Sequence, residues 1–175
     1  VLRAAQALRE LGASTAGAKI SLRKEIPQGA GLGGGSSDAA AALKLLRTLW
    51  SLAVSDAELS KIGARLGSDV PFFLQSSPAR GTGRGEILEL LPLQSLPWAV
   101  LIHPGFSSPT AEAYRRYAAN QRPGEEGKPI FLTLENGKPY ELKPRNDLEP
   151  AVEERLLWVR AARRWLAQQP GVLMA

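Results

Sequence analysis

The stretch Ile26-Pro27-Gln28-Gly29-Ala30-Gly31-Leu32-Gly33-Gly34-Gly35-Ser36-Ser37-Asp38 decides how this chain is read. Five of the seven residues from Gly29 to Gly35 are glycine. Such a run gives up much conformational entropy on folding, so it belongs where backbone must approach a ligand closely or take positive φ. Ser36, Ser37 and Asp38 read as a helix start, with Asp38 favoured there by the helix dipole, the alternative for Asp38 being a contact to Mg²⁺ through water. The helix is expected to run to about Trp50, with Ala39, Ala42, Leu43, Leu46 and Leu49/Trp50 on its buried side. A glycine loop that opens directly onto a helix presents unpaired N–H groups and the positive end of the dipole. That combination is a phosphate cradle, and Pro27, Gln28, Gly29, Ala30, Gly31, Leu32, Gly33, Gly34, Gly35, Ser36 and Ser37 are its candidate residues. The Ser36 and Ser37 hydroxyls can reach phosphate, and Ser36 is a candidate contact to Mg²⁺.

Other loops share some of these features. A flexible linker does not usually end in a capped amphipathic helix. A Walker loop closes on Gly-Lys-Ser/Thr, but no lysine occurs between Lys24 and Lys44. Gly29-x-Gly31-x-x-Gly34 fits the dinucleotide fingerprint literally, but its context does not. The preceding Lys19–Ile26 alternates, with Ile20, Leu22 and Ile26 on one face and Lys19, Ser21, Arg23 and Glu25 on the other, which predicts a half-exposed strand. The strands of dinucleotide folds are buried on both faces, and the acidic residue expected about 20 positions on is missing from a strand end.

Outward from the loop, VLRAAQALRELG at the start reads as a helix stopped by Gly12. Ser55-x-x-Glu58 is a capping box that opens a helix burying Leu59, Ile62 and Leu66, with Gly67 placed to end it. Phe72–Leu74 is expected as an apolar strand, Gly81–Gly85 as a turn and Glu86–Leu91 as a further strand. A boundary is expected between Pro92 and Pro97, followed by a buried strand Trp98–His103 closed by Pro104-Gly105. Beyond it, Thr110–Ala119 reads as a helix, Gln121–Lys128 as a polar loop, and Asp147–Leu166 as one long helix or two joined near Pro150.

Composition narrows the function. The net charge is +5, but it is spread evenly: residues 1–90 hold 11 Lys/Arg against 8 Asp/Glu, and residues 91–175 hold 11 against 9. A nucleic-acid binder more often concentrates its charge in a stripe interleaved with aromatics. The densest cluster, Arg155, Arg160, Arg163 and Arg164, reads as a solvated helix face. There is no cysteine and only one histidine, His103, so thiolate and His-rich metal sites are excluded. No apolar run approaches the roughly 20 residues of a membrane helix. The chain starts at Val1 in what reads as mid-helix, and its one methionine is Met174, so an incomplete start is expected.

Pro27-x-Gly29-Ala30-Gly31-Leu32-Gly33-Gly34-Gly35-Ser36-Ser37-Asp38-Ala39-Ala40 resembles the second motif of the GHMP kinase superfamily. Gly67-Ser68-Asp69-Val70-Pro71-Phe72-Phe73 is similar to its aspartate segment, Gly81-x-Gly83-Arg84-Gly85-Glu86 to a glycine turn after it, and Asn146-Asp147-Leu148-Glu149 to a helix start in its second domain. His103-Pro104-Gly105, with Pro109-Thr110 beyond, also fits that domain. The resemblance implies an α/β (α+β) fold of two domains with the active site in the cleft between them. Residues 1–90 would be the ATP-binding part, similar to the second domain of ribosomal protein S5, and residues 91–175 the GHMP C-terminal domain, both incomplete.

The activity implied is ATP-dependent phosphorylation of an alcohol on a small molecule, with Mg²⁺, on the route to isoprenoid precursors. Asp69 would be the general base, and Tyr114 would fall near a cytidine base of the acceptor. A homoserine or mevalonate type of kinase, a non-catalytic nucleotide-binding module and a basic nucleic-acid-binding module are the alternatives. A monomer or weak homodimer is expected, in the cytoplasm, or in a plastid if a transit peptide preceded Val1, without nucleic-acid or membrane partners. The family's catalytic lysine and third glycine motif have no counterpart among these 175 residues, so this stretch alone is expected to be poorly active.

Overall fold

The computed structural model describes residues 1–12, 14–106 and 109–175. Helices and strands are mixed, and the chain divides into two compact units. The first comprises Val1–Gln28 and Leu32–Pro92, and the second comprises Leu93–Ala175, with Gly29–Gly31 grouped to it.

The first unit is built around helix α2. Its helices are α1 (Leu2–Leu11), α2 (Gly34–Leu49), α3 (Asp56–Leu66) and α4 (Val70–Leu74), and they are followed by the antiparallel strands β1 (Ala79–Thr82) and β2 (Ile87–Leu90). Helix α2 buries Ala39, Ala40, Ala42, Leu43 and Leu46. The three alanines let neighbouring helices approach closely, and the two leucines fill the space between them. Ala4 and Leu8 of α1, Leu59 and Ile62 of α3, Val54, and Val70 of α4 complete one continuous core. Full burial of a side chain such as Leu43, Leu59 or Ile62 stabilises by about 1.5–3 kcal/mol relative to exposure. The expected buried edge is narrower than its periodicity suggested, because Leu49 is exposed and Trp50 only half-buried.

The start of α3 follows its sequence closely. Ser55 is the N-cap, its hydroxyl accepts from the Glu58 N–H, and the Glu58 carboxylate accepts from the Ser55 N–H at 2.9 Å. Gly67 is the C-cap.

Two expected strands of this unit are absent. Lys19–Ile26 is irregular and pairs with no strand among the described residues, and Ile20, Leu22 and Ile26 are exposed. A strand exists only through hydrogen bonds to a neighbour, and an alternating pattern records a face without supplying that partner. Phe72–Leu74 is helical. With Pro71 inside its first turn, α4 buries Val70 and Pro71. A short apolar run does not distinguish strand from helix by pattern, and proline near a helix start is well accommodated.

The second unit holds α5 (Thr110–Asn120), the antiparallel hairpin β3 (Ile130–Thr133) and β4 (Pro139–Leu142), and helices α6 (Glu149–Glu153) and α7 (Leu157–Ala167). Helix α5 and the irregular 121–128 stretch match expectation. The hairpin does not figure in the sequence reading, although Asn136-Gly137 signals it. Gly137 takes φ 79° and the Asn136 side chain accepts from the Lys138 N–H at 3.0 Å. The break between α6 and α7 falls after Glu153 rather than near Pro150, which sits inside the first turn of α6. Trp98–His103 is neither a strand nor buried: Trp98, Val100, Leu101 and Ile102 are all exposed.

Three of the four clustered arginines are paired rather than free. Arg155 reaches Glu112 of α5 at 2.6 Å, Arg163 reaches Glu149 and Glu153 at 2.7 Å each, and Arg160 lies 3.7 Å from Glu153. Burial pushes the Glu149 carboxyl above its usual range against the pull of Arg163, with Glu153 and Glu125 adding to the rise. Glu153 is itself buried.

Two expectations follow. Hydrogen bonds from the Ser55 side chain first, and from its backbone second, hold the Glu58 carboxyl below its ordinary range. The resulting stabilisation is present above the unfolded carboxyl pKa and is lost as pH falls through the lower folded value. Ser55→Ala removes the N-cap of α3 and should lower stability by about 1 kcal/mol; with the bonds to Glu58 gone, the decline of Tm below about pH 4.3 should flatten, as read by calorimetry across pH. Arg163→Met leaves Glu149 and Glu153 without their shared cation. Because Arg163 is about a third exposed, the loss should be a moderate 1–3 kcal/mol or so in denaturant unfolding.

Candidate active site

The glycine loop has the backbone that its composition requires. Gly29, Gly31 and Gly33 take φ of 70°, 73° and 66°, so every second residue from 29 to 33 lies in the left-handed region. Alternation of this kind turns successive N–H groups toward one side, as in anion-binding nests. Gly33 is the N-cap of α2, and the first helical bond runs from the Ser37 N–H to the Gly33 carbonyl at 2.9 Å. The N–H groups of Gly34, Gly35 and Ser36 therefore precede the helical ladder and face outward. Beside Gly35, a Cβ would meet nothing within 4 Å, so the backbone there is open to approach.

The aspartate segment lies against this helix start. A Cβ on Gly33 would stand 2.8 Å from the Phe73 ring, and one on Gly67 would stand 3.7 Å from the Ser36 hydroxyl. Asp69 is the N-cap of α4, yet its side chain makes no capping hydrogen bond and no ion pair among the described residues. It therefore does not organise the turn before Pro71. Its Oδ1 lies 3.8 Å from the Cβ position of Gly85, in the β1–β2 turn. That turn is shaped by Gly83 at φ 70° and Gly85 at φ 106°, and the Glu86 carboxylate accepts from the Arg84 N–H at 2.8 Å. Three stretches far apart in sequence, the α2 start, Gly67–Phe73 and Gly83–Gly85, are thus neighbours within the first unit. Asp69 itself is exposed.

Asp38 is not a cap. It lies in the second turn of α2 and accepts from Lys24 Nζ at 2.5 Å. Sequence reading gave Lys24 no role, because its partner lies 14 positions away across the loop and no local pattern links them.

The second unit contributes less. Tyr114 is exposed on α5, more than half of it open to solvent. His103 accepts from the Gly105 N–H at 3.2 Å. In Asn146-Asp147-Leu148-Glu149, the Asn146 side chain accepts from the Leu148 N–H, and Asp147 accepts from the Gly124 N–H at 3.2 Å and pairs with Arg145 at 2.8 Å. These contacts fasten the 121–128 stretch to the start of α6. A shallow pocket lies between α5 and α6, lined by Glu112, Arg116, Ala151 and Arg155 among others. No group of three or more metal-ligating side chains gathers among the described residues.

Residues 1–77 match the model of the GHMP kinases N terminal domain. Within that class the similarity is to proteins named 4-diphosphocytidyl-2-C-methyl-D-erythritol kinase. The one from Pelotomaculum thermopropionicum is 49% identical over 100% of this chain and 63% of its own length. The one from Methylacidiphilum infernorum is 44% identical over 86% of this chain and 50% of its own length, and the one from Chlorobium phaeobacteroides is 42% identical over 97% and 61%. A crystal structure of 4-(cytidine 5'-diphospho)-2C-methyl-D-erythritol kinase matches with a TM-score of 0.59 and 28% identity, over 94% of this chain and 60% of that one. The chain thus spans about half to under two thirds of the length of these relatives.

Gly33 supplies a direct test of the geometry, because it combines a left-handed φ with a ring where a side chain would go. Gly33→Ala should cost about 1–3 kcal/mol of stability. It should also displace Phe73, visible as a change in aromatic near-ultraviolet circular dichroism.

Proposed function

We propose that the protein carrying this chain transfers the γ-phosphoryl group of ATP to the 2-hydroxyl of 4-diphosphocytidyl-2-C-methyl-D-erythritol, in the non-mevalonate route to isoprenoid precursors. Residues 1–90 are read as its ATP-binding domain and residues 91–175 as the GHMP C-terminal domain. The observation that carries the reading is the neighbourhood of Asp69. An aspartate whose side chain makes no bond to its own turn among the described residues lies beside a glycine turn, in the segment that packs against the N-terminus of α2.

Phosphoryl transfer asks a protein mainly for positioning and charge stabilisation. The residues from Pro27 to Ser37 fit the triphosphate: a nest of alternating positive-φ glycines, three N–H groups ahead of the helical ladder, and the roughly half positive charge of a helix start. Mg²⁺ would neutralise phosphate charge. Among the loop residues, the Ser36 hydroxyl is the group that could hold it, with phosphate oxygens completing its shell. Asp69 takes the proton of the acceptor hydroxyl as that oxygen bonds to the γ-phosphorus and the bond to the β-phosphate oxygen breaks, leaving ADP. Tyr114, exposed on α5, is read as a surface on which the cytosine of the acceptor stacks. The working form is read as a monomer or weak homodimer in the cytoplasm. Among the described residues no helix is long and apolar enough to cross a membrane.

Phosphorus NMR of the protein with ATP and the cytidylyl acceptor, against homoserine and mevalonate as controls, tests the reading. A new phosphomonoester on the cytidylyl substrate alone is expected. Turnover of a control instead would move the protein to a sister kinase. Asp69→Asn should lower kcat by about 10²–10⁴ while leaving ATP binding in place. A variant with unchanged kcat removes Asp69 from the chemistry.

A further inference from the structure

The ion pair between Lys24 and Asp38 brackets the glycine loop. Lys24 lies just before Ile26-Pro27, Asp38 lies in the second turn of α2, and every loop residue from Pro27 to Ser37 falls between them. Both side chains are about three-quarters buried, at 27% and 25% exposure, whereas the Arg23–Glu25 pair beside it is 88% and 73% exposed. A second contact closes the same gap. A Cβ on Gly34 would meet Ile26 Cγ2 at 3.1 Å and Lys24 Nζ at 3.4 Å, so Ile26 and the lysine head both rest on the first turn of α2. From Thr15 to Gln28 the chain is in neither helix nor strand. Its other side-chain anchor in the first unit is the Trp50 indole N–H, which donates to the Gly17 carbonyl at 3.1 Å. Among the described residues no ladder therefore holds the entry segment of the loop, and next to the loop its position relative to α2 rests on Lys24, Asp38 and Ile26.

We propose that Lys24 and Asp38 form a clasp that fixes the two ends of the glycine loop, and that Asp38 is in this sense a positioning residue for ATP. The inference rests on reading Pro27–Ser37 as the phosphate site. A loop with five glycines in seven residues has many open conformations. Holding its ends at one separation removes most of them before the ligand arrives, and such preorganisation raises affinity without adding a contact to the ligand. The role needs opposite charges facing across the loop base, whichever side bears which.

The test is the ATP dissociation constant by titration calorimetry, with Tm alongside, in the protein carrying this chain. Lys24→Met and Asp38→Asn should each weaken ATP binding about three- to fivefold. The reversed pair, Lys24→Asp with Asp38→Lys, should recover most of that loss, and Asp38→Glu, which keeps the charge, should stay near wild type. If reversal leaves affinity at the level of the single variants, or Asp38→Asn binds ATP like wild type, the clasp is overturned, and a loss confined to Lys24→Met makes that lysine a direct ligand. A lower Tm with unchanged ATP affinity in both single variants also overturns it, leaving an ordinary stabilising contact. A wild-type protein that binds no ATP fails the phosphate reading itself; one that binds ATP while every variant matches it fails the clasp alone.

Discussion

Leu43 has no accessible surface, and it lies in the apolar cluster that α1, α2, α3 and α4 share. The rest of the first unit depends on this burial. Helix α2 carries the open N–H groups at one end and the apolar stripe along its length, so whatever fixes the stripe also aims the N-terminus. Ala39, Ala40 and Ala42 contribute by being small, since they let helical backbone come near enough for Leu8, Leu59, Ile62 and Val70 to close around Leu43 and Leu46. Gly29, Gly31 and Gly33 before the helix contribute backbone freedom rather than side chains of their own. A flexible loop is useful here because it leaves from a rigid support.

The same packing explains why the aspartate segment arrives at the helix start. Helix α4 buries Val70 and Pro71, and Gly63 lets Val70 approach α3, where a Cβ would be only 3.0 Å from Val70 Cγ1. With Val70 fixed, Asp69 immediately before it has little freedom of backbone. The carboxylate is therefore positioned by the apolar residues that follow it, while its own polar atoms remain available. Net charge plays a minor part. The +5 of the chain is evenly distributed, and three of the four arginines in its densest cluster face carboxylates. Attraction for an anion must then come from the local arrangement of N–H groups at short range, where screening is weakest.

How far the sequence was legible divides along one physical line. The structure has the α2 start, the Ser55–Glu58 capping box, the Gly67 stop and helix α5 close to where the residue pattern put them, because a helix satisfies its hydrogen bonds within itself and its ends are marked by local side chains. Lys19–Ile26 and Trp98–His103 failed for the complementary reason: alternation or apolarity says which face would be buried, but the ladder requires a partner elsewhere. The β3–β4 hairpin carried its own turn signal in Asn136-Gly137, and reading that stretch for turns would have found it. Of the site, the loop and Asp69 stood out as motifs. Lys24 could not, since its partner is defined only after the loop has folded back.

The unpaired Lys19–Ile26 segment also determines how the loop is supported. In a sheet, each residue of an entry strand is held by backbone bonds to both neighbours, and side chains are free to serve other ends. Here Lys19–Ile26 has no such bonds among the described residues, and three exposed apolar side chains mark the face that pairing would ordinarily bring with it. The burden of placing Pro27 falls on side chains that reach across to α2. A point contact through one flexible lysine constrains far less than a ladder, unless a second contact fixes direction as well as distance. Ile26 on Gly34 supplies that second contact, and it does so because Gly34 has no Cβ to hold it away. Glycine at this position thus works for packing rather than for backbone freedom: the same residue that opens the helix start to an anion also lets the entry segment close on it.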